Sequence, residues 1–217
     1  MRMMIVTGGT GGHIYPALAL ADAAKQRYGE QAQIAFVGND DRMEASLIPE
    51  KGYPFYPLHT SGLVGGVRGK VKAVAQMLAA YRKAKGYIHS FRPDIVIGFG
   101  GYVSAPLILA AHHLGVVTMI HEQNSIVGKA NQLVMKQVDA IVCCYERCLS
   151  QLDAQKTRLL GNPRASVAAR AAFDEAYFRS LGLDPKRRTI LVVMGSLGSS
   201  SVNDLMKEAL PQVKEDC

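Results

Sequence analysis

Two short stretches of this sequence bring reactive side chains to places where a backbone can hold them for chemistry. The first is Val6-Thr7-Gly8-Gly9-Thr10-Gly11-Gly12-His13-Ile14, four glycines leading into a histidine. Without Cβ atoms such a backbone can approach a ligand closely, and free N–H groups at a helix start favour an anion. An imidazole entering from that loop, with a reference pKa of about 6.5, has the chemistry of a general base. The second stretch is His121-Glu122-Gln123-Asn124-Ser125. There Glu122 could orient a hydroxyl or act as a base, and Asn124 offers both donor and acceptor to a sugar or a nucleobase. The plainer alternatives are a tight turn with His13 as an incidental cap, and a helix cap before a segment starting near Gly128. The cap explains Asn124 or Ser125 but not the whole cluster.

The elements that must position these residues follow from pattern. Met3-Met4-Ile5-Val6 reads as a short buried strand and Ile14 to Tyr28 as a helix, so the first glycines sit at a strand-to-helix turn. Asp94-Ile95-Val96-Ile97-Gly98-Phe99-Gly100-Gly101-Tyr102 repeats the theme before a helix from Ser104 to Leu114, and Val116 to Ile120 is a third strand running into His121. In a parallel sheet all three junctions lie at the carboxyl edge, where ligands bind, so residues 121–125 are expected in one cleft with both glycine loops. Strands are also expected at Gln33–Val37, at Phe55–Leu58 as a marginal or edge strand hemmed by prolines, at Ala140–Cys143 and at Arg158–Leu160. Asp41 to Lys51 reads as a short helix, Ser61 to Gly69 as a loop and Lys70 to His89 as a longer helix. The fold class is α/β with a parallel sheet over residues 1–162. Residues 163–188 form a helical, charged connector. Residues 189–217 open a second unit: Thr189–Val193 as a buried strand, Met194 to Ser199 as a third glycine loop, and Val202 to Lys214 as a helix bent at Pro211.

Composition narrows the function. The chain has 217 residues, 48% hydrophobic and 20% charged, enough for a substantial core. No charged-then-apolar leader opens it and no apolar run approaches the ~20 residues that span a bilayer, so neither export nor a membrane span is expected. The first glycine run fails G-x-G-x-x-G at Ile14, and no G-x-x-x-x-G-K-[ST] occurs. The four cysteines, Cys143, Cys144, Cys148 and Cys217, lack a second pair at zinc spacing, so reduced thiols and no metal are expected, although Cys144 and Cys148 could meet on a helix. Cys143 continues a strand pattern and reads as a core residue.

The net charge of +7 is concentrated: from Lys51 to Pro93 there is no acidic residue, but eight cations, Lys51, Arg68, Lys70, Lys72, Arg82, Lys83, Lys85 and Arg92. That excess implies an acidic partner: a membrane surface, a nucleic acid or a phosphorylated substrate. Val71, Val74, Met77, Leu78 and Tyr81 recur at helical spacing, with Lys72 and Lys83 opposite. Either this stripe packs on the sheet, or together with Leu63, Val64, Val67 and Arg68 it forms an apolar patch rimmed by cations that rests on an anionic membrane. No groove-reading motif supports nucleic acid.

Taken in order, Gly8-Gly9-Thr10-Gly11-Gly12-His13 with Pro16, Asp41-Arg42-Met43-Glu44, Gly100-Gly101-Tyr102-Val103-Ser104, His121-Glu122-Gln123-Asn124, Gly161-Asn162-Pro163 and Gly195-Ser196-Leu197-Gly198 resemble the MurG family of glycosyltransferases. The resemblance covers essentially the whole chain. It implies a GT-B fold of two Rossmann-like domains and inverting transfer of N-acetylglucosamine from UDP-GlcNAc to the 4-hydroxyl of the lipid-linked acceptor lipid I, giving lipid II in peptidoglycan synthesis. No metal or other cofactor is implied. It also implies a peripheral location on the cytoplasmic face of the bacterial plasma membrane, among other cell-wall synthesis proteins, which favours the membrane reading of residues 63–85. By the same resemblance Thr10, Gly11 and Gly12 match the nucleotide-sugar or pyrophosphate loop, and His13 the base for the acceptor hydroxyl. Asn124 and Ser196 match donor-binding positions, and Tyr102 and Glu122 the acceptor side, Glu122 with a catalytic role.

The pattern departs at Arg164, which follows Pro163 directly where many members carry the arginine one residue later, so its donor contact is not carried over. Family members also run well beyond residue 217, into the part that grips uracil, ribose and GlcNAc. The expectation is a chain folded to about residue 160 and silent by itself. One rival is a non-catalytic acceptor- and membrane-binding half of a two-chain glycosyltransferase, against which stands the βα unit after Thr189. A nicotinamide oxidoreductase fails on the missing glycine fingerprint and on Gly38-Asn39 where an acidic residue would meet the ribose.

Overall fold

A computed structural model describes residues 1–62, 66–193 and 199–212. The chain divides into two units, Met1–Ala169 and Arg170–Cys217. In the first, strands β1 (Arg2–Val6), β2 (Gln33–Asn39), β3 (Phe55–Leu58), β4 (Ile95–Gly98), β5 (Val117–Glu122), β6 (Ala140–Cys143) and β7 (Thr157–Leu159) form one sheet. Their order is β3-β2-β1-β4-β5-β6-β7 and every adjacent pair is parallel. The returns carry α1 (Gly11–Tyr28), α2 (Glu44–Glu50), α3 (Val67–Phe91), α4 (Ser104–His113) and α5 (Lys129–Val134), and α6 (Pro163–Ala169) follows β7.

β1 shows why these strands are continuously apolar. Met3 and Ile5 pack with Ile14, Ala17, Phe36 and Phe99 on one face, while Met4 and Val6 pack with Ala80, Ala84, Ile88 and Ile108 on the other. A parallel sheet covered on both faces leaves no side for alternation with polar residues. Fully buried Phe36, Phe99, Ile5 and Ile108 each contribute on the order of 1.5–3 kcal/mol by leaving water. β3 takes the outer edge, as its prolines predict.

Register places the chemistry. Val6 lies opposite both Val37 and Gly98, and Gly98 opposite Ile120, so the chain leaves β1, β4 and β5 side by side at one edge. The order reverses between β1 and β4, and a crevice opens outside their carboxyl ends.

Two expectations need correction, and one pair of alternatives is decided. Helix α1 begins at Gly11 instead of Ile14, because the Thr10 carbonyl accepts from both His13 N–H and Ile14 N–H and so draws the two glycines into the first turn. On α3, whose stripe reads from sequence either as packing on the sheet or as part of an exposed patch, Val71, Val74 and Leu78 are exposed together with Val67, and the buried face is Ala73, Ala80, Ala84 and Ile88. Small residues let this helix approach the core closely, so the alanine face wins, and of the predicted stripe only Met77 and Tyr81 pack partly against the core. Thr189–Val193 is not a strand: Ile190, Leu191 and Val193 are exposed, and no other strand is present among the described residues of the second unit to complete a ladder.

The second unit contains α7 (Glu175–Ser180), capped by Asp174, and α8 (Ser200–Ala209), capped by Ser199, with a 3₁₀ turn at Leu210–Gln212 around Pro211. Leu63, Val64, the loop at 194–198 with Ser196, and Cys217 lie outside the described residues. No helix among the described residues is long and apolar enough to cross a membrane.

Candidate active site

At the switch between β1 and β4 lies a cleft of about 550 Å³, within the range of small-molecule sites. Gly8, Gly9 and His13 line it from the first glycine loop, Gly100, Gly101 and Tyr102 from the second, and Glu122 and Asn124 from the end of β5. The three junctions expected to share a cleft do share it. Thr10, Gly11 and Gly12 sit at the helix start beside it without lining it. Helix α1 has no side-chain cap and no acidic residue in its first turn, so its leading N–H groups are left for an anion.

His13 is held by both glycine loops. Its Nδ1 lies 3.0 Å from the Gly8 carbonyl oxygen and must donate there. Nε2 is left as the ring's free lone pair. The ring rests on Gly100 so closely that a Cβ there would come within 2.9 Å of Nε2. Gly100 and Gly101 have φ of +103° and +82°, and a Cβ on Gly101 would meet the Gly8 carbonyl oxygen at 2.6 Å. Of the second loop, Gly100 is thus required by the histidine of the first and Gly101 by its Gly8 carbonyl.

Two buried carboxylates support the loops from below. Glu44, fully buried, accepts from Gly9 N–H at 3.3 Å and Asn39 N–H at 3.1 Å. Glu122, 1% exposed, accepts four hydrogen bonds: from Asn124 N–H and its side-chain amide at 2.9 Å each, and from Gly128 N–H and the Asn131 amide at 2.8 Å each. A carboxylate has about four acceptor positions, and those of Glu122 are taken. Of the two roles the sequence left open to Glu122, orienting and acting as a base, its four accepted hydrogen bonds suit the first.

The rest of the polar cluster points elsewhere. His121 is buried behind the cleft, stacked on Phe99 at 5.0 Å, with Nε2 donating to the Gly161 carbonyl at 3.1 Å and Nδ1 accepting from Gln123. Burial pushes its pKa below the ordinary histidine value. Arg164 does not line the cleft; its guanidinium lies 5.5 Å over the ring of Tyr15.

The opposite wall was not foreseen. Asn39, Arg42, Thr60, Ser61 and Gly62 line it, with the Tyr102 ring against Gly62. Asn39 Oδ1 accepts from both Thr60 N–H and its hydroxyl at 2.9 Å, and the Ser61 hydroxyl donates to Gln76 of α3 at 2.6 Å. Lys129 and Asn131 line the cleft from α5. Of these, Arg42 stood within a motif read from sequence, but nothing in that motif announced this wall.

Cys144 follows β6 and Cys148 sits in a 3₁₀ turn at Glu146–Gln151, so they do not share a helix as expected. Cys143 is buried in the core as expected, and burial pushes the Cys144 thiol up to about 11.

Residues 3–143 match the model of the glycosyltransferase family 28 N-terminal domain. The chain is 38% identical over 215 residues to the UDP-N-acetylglucosamine–N-acetylmuramyl-(pentapeptide) pyrophosphoryl-undecaprenol N-acetylglucosamine transferase of Halalkalibacterium halodurans, covering 99% of this chain and 59% of that protein. The protein of the same name from Lactiplantibacillus plantarum is 40% identical over 216 residues, with coverage of 99% and 59%. The crystal structure of Acinetobacter baumannii MurG is similar with a TM-score of 0.73 at 28% identity, over 98% of this chain and 58% of that one. The chain therefore spans about three fifths of the length of these relatives.

Proposed function

The chain belongs to glycosyltransferase family 28, whose N-terminal domain is formed by residues 3–143, and from that membership we propose that it supplies the acceptor site and base of an inverting N-acetylglucosaminyltransferase. The reaction is transfer of GlcNAc from UDP-GlcNAc to the 4-hydroxyl of the MurNAc of lipid I. His13 Nε2 takes the hydroxyl proton as the oxygen attacks C1 of GlcNAc. The C1–O bond to UDP breaks from the opposite face, and UDP leaves with the bonding pair. The observation that carries this reading is the Nδ1 contact of His13 to the Gly8 carbonyl, which fixes the tautomer with Nε2 as acceptor.

Asn124, Thr10, Gly11 and Gly12 serve the donor side. Tyr102, against Gly62, serves the acceptor wall. The exposed Val67, Val71, Val74 and Leu78, with Arg68, Lys70, Lys72, Arg82, Lys83 and Lys85 on the same helix and Leu63 and Val64 before it, rest on an anionic membrane surface at the cytoplasmic face. The Ser61–Gln76 hydrogen bond ties the acceptor wall to that helix, a short path from a lipid anchor to a sugar in the cleft. Titration of the chain with a water-soluble short-prenyl lipid I analogue, followed through the His13 imidazole resonances, tests the reading: saturable shifts are expected, and resonances that do not move would overturn it.

A further inference from the structure

Residues 123–128 carry Asn124 into the cleft, yet among the described residues the only backbone–backbone bond outside helices and strands that involves them runs from Gln132 N–H to the Gly128 carbonyl. Side chains hold six of the other groups, one of them the Val127 carbonyl, which accepts from the Gln132 amide at 2.7 Å. Glu122 receives Asn124 N–H and Gly128 N–H from the inner side. From the outer side the 3₁₀ turn at Glu146–Gln151 supplies three more bonds. Gln151 Oε1 accepts from Val127 N–H at 3.1 Å, its Nε2 donates to the Ser125 carbonyl at 3.1 Å, and the Cys148 thiol donates to the Asn124 carbonyl at 2.8 Å. Gln151 Nε2 also bonds the Arg147 carbonyl at 2.9 Å, which fixes its own rotamer.

We propose that Gln151, assisted by Cys148, is a positioning residue that clamps the 123–128 loop from outside and thereby sets where Asn124 meets the donor. The clamp is two-sided. An amide carries its acceptor and its donor on separate atoms, so Gln151 accepts from Val127 and donates to Ser125 at once, which a carboxylate or a hydrocarbon cannot do. Glu122 alone fixes N–H groups at the two ends of the loop and leaves the peptide planes between them free to turn. The outer bonds remove that freedom, and Cys148, fully buried, does so at Asn124 itself. The functional half of this proposal rests on the donor-side reading of Asn124.

The test compares wild type, Gln151→Ala and Gln151→Glu, in the protein that carries this chain, by amide hydrogen exchange and by UDP-GlcNAc titration, with Asn124→Ala as reference. In Gln151→Ala the amides of Val127 and Gly128 should exchange about tenfold faster or more, as expected from the loss of hydrogen bonds worth roughly 1 kcal/mol each, with protection in β1 and β4 unchanged. Gln151→Glu keeps the acceptor and should restore Val127 protection. Unchanged exchange at Val127 in Gln151→Ala overturns the clamp whatever the ligand does. A UDP-GlcNAc Kd raised by Asn124→Ala but not by Gln151→Ala overturns its positioning role. A Kd that neither variant changes removes Asn124 from the donor site, and the exchange result then decides the clamp on its own.

Discussion

Gly100 makes room for His13: a Cβ on residue 100 would stand 2.8 Å from Cδ2 and 2.9 Å from Nε2 of the imidazole. Gly100→Ala should therefore displace the ring and also strain a backbone at φ +103°. The expected cost is about 1–3 kcal/mol of stability, read by urea denaturation, together with loss of the His13 resonance shifts on acceptor binding. Wild-type stability with an intact His13 response would show that the two loops are not interdependent.

Glu122→Gln replaces a four-bond acceptor by an amide that must turn an N–H₂ group towards existing donors. Such a mismatch at a buried site costs on the order of 1–3 kcal/mol. Thermal denaturation should show the loss, and faster exchange at Asn124 and Gly128 should accompany it. A variant with normal stability and exchange would return Glu122 to the pool of free acceptors and revive an acid/base role.

The fold was legible where periodicity and burial agree. β6 was read to its exact bounds at Ala140–Cys143, and the shared edge of three strand ends followed from their buried character. One choice left open and one failure have the same origin, since pattern does not say what lies opposite. On α3 the larger valines and leucines outweigh the alanines in any count, but close packing chose the alanine face. At Thr189–Val193 the residues suit a strand, and no partner strand is present among the described residues of that unit. The site was half legible for a similar reason. His13, Tyr102 and Asn124 leave the sheet from predicted strand ends, whereas Thr60, Ser61 and Lys129 reach the cleft from segments that carry no local signature.

His121 gives the fold a pH dependence. Its folded pKa lies below the ordinary value of about 6.5 because burial penalises the imidazolium, outweighing the Gly161 carbonyl and the nearby Glu122. The unfolded chain thus binds a proton first as pH falls. The His121 contribution is fully present above about pH 6.5 and is lost as pH drops towards the folded pKa, by at most about 1.4 kcal/mol per pH unit. Urea midpoints at pH 7.5 and 5.5 should fall further in wild type than in His121→Gln. An equal or smaller fall in wild type contradicts this.

The exposed face of α3 can be changed without touching the core. Val71→Ser with Leu78→Ser, or Lys72→Glu with Arg82→Glu, should leave Tm within about 0.5 kcal/mol equivalent of wild type, as surface changes do, while sharply reducing co-sedimentation with phosphatidylglycerol vesicles. Binding should also weaken with added salt. Undiminished vesicle binding in both pairs would remove this face from the membrane account.

Base catalysis by His13 is the central claim, and the most direct measurement is GlcNAc transfer from UDP-GlcNAc to lipid I by the protein that carries this chain, wild type against His13→Ala, at saturating substrates. The account predicts a fall in kcat of about 10²-fold or more with acceptor KM little changed, as loss of a general base requires. An unchanged kcat would contradict it and leave His13 as a cap on α1.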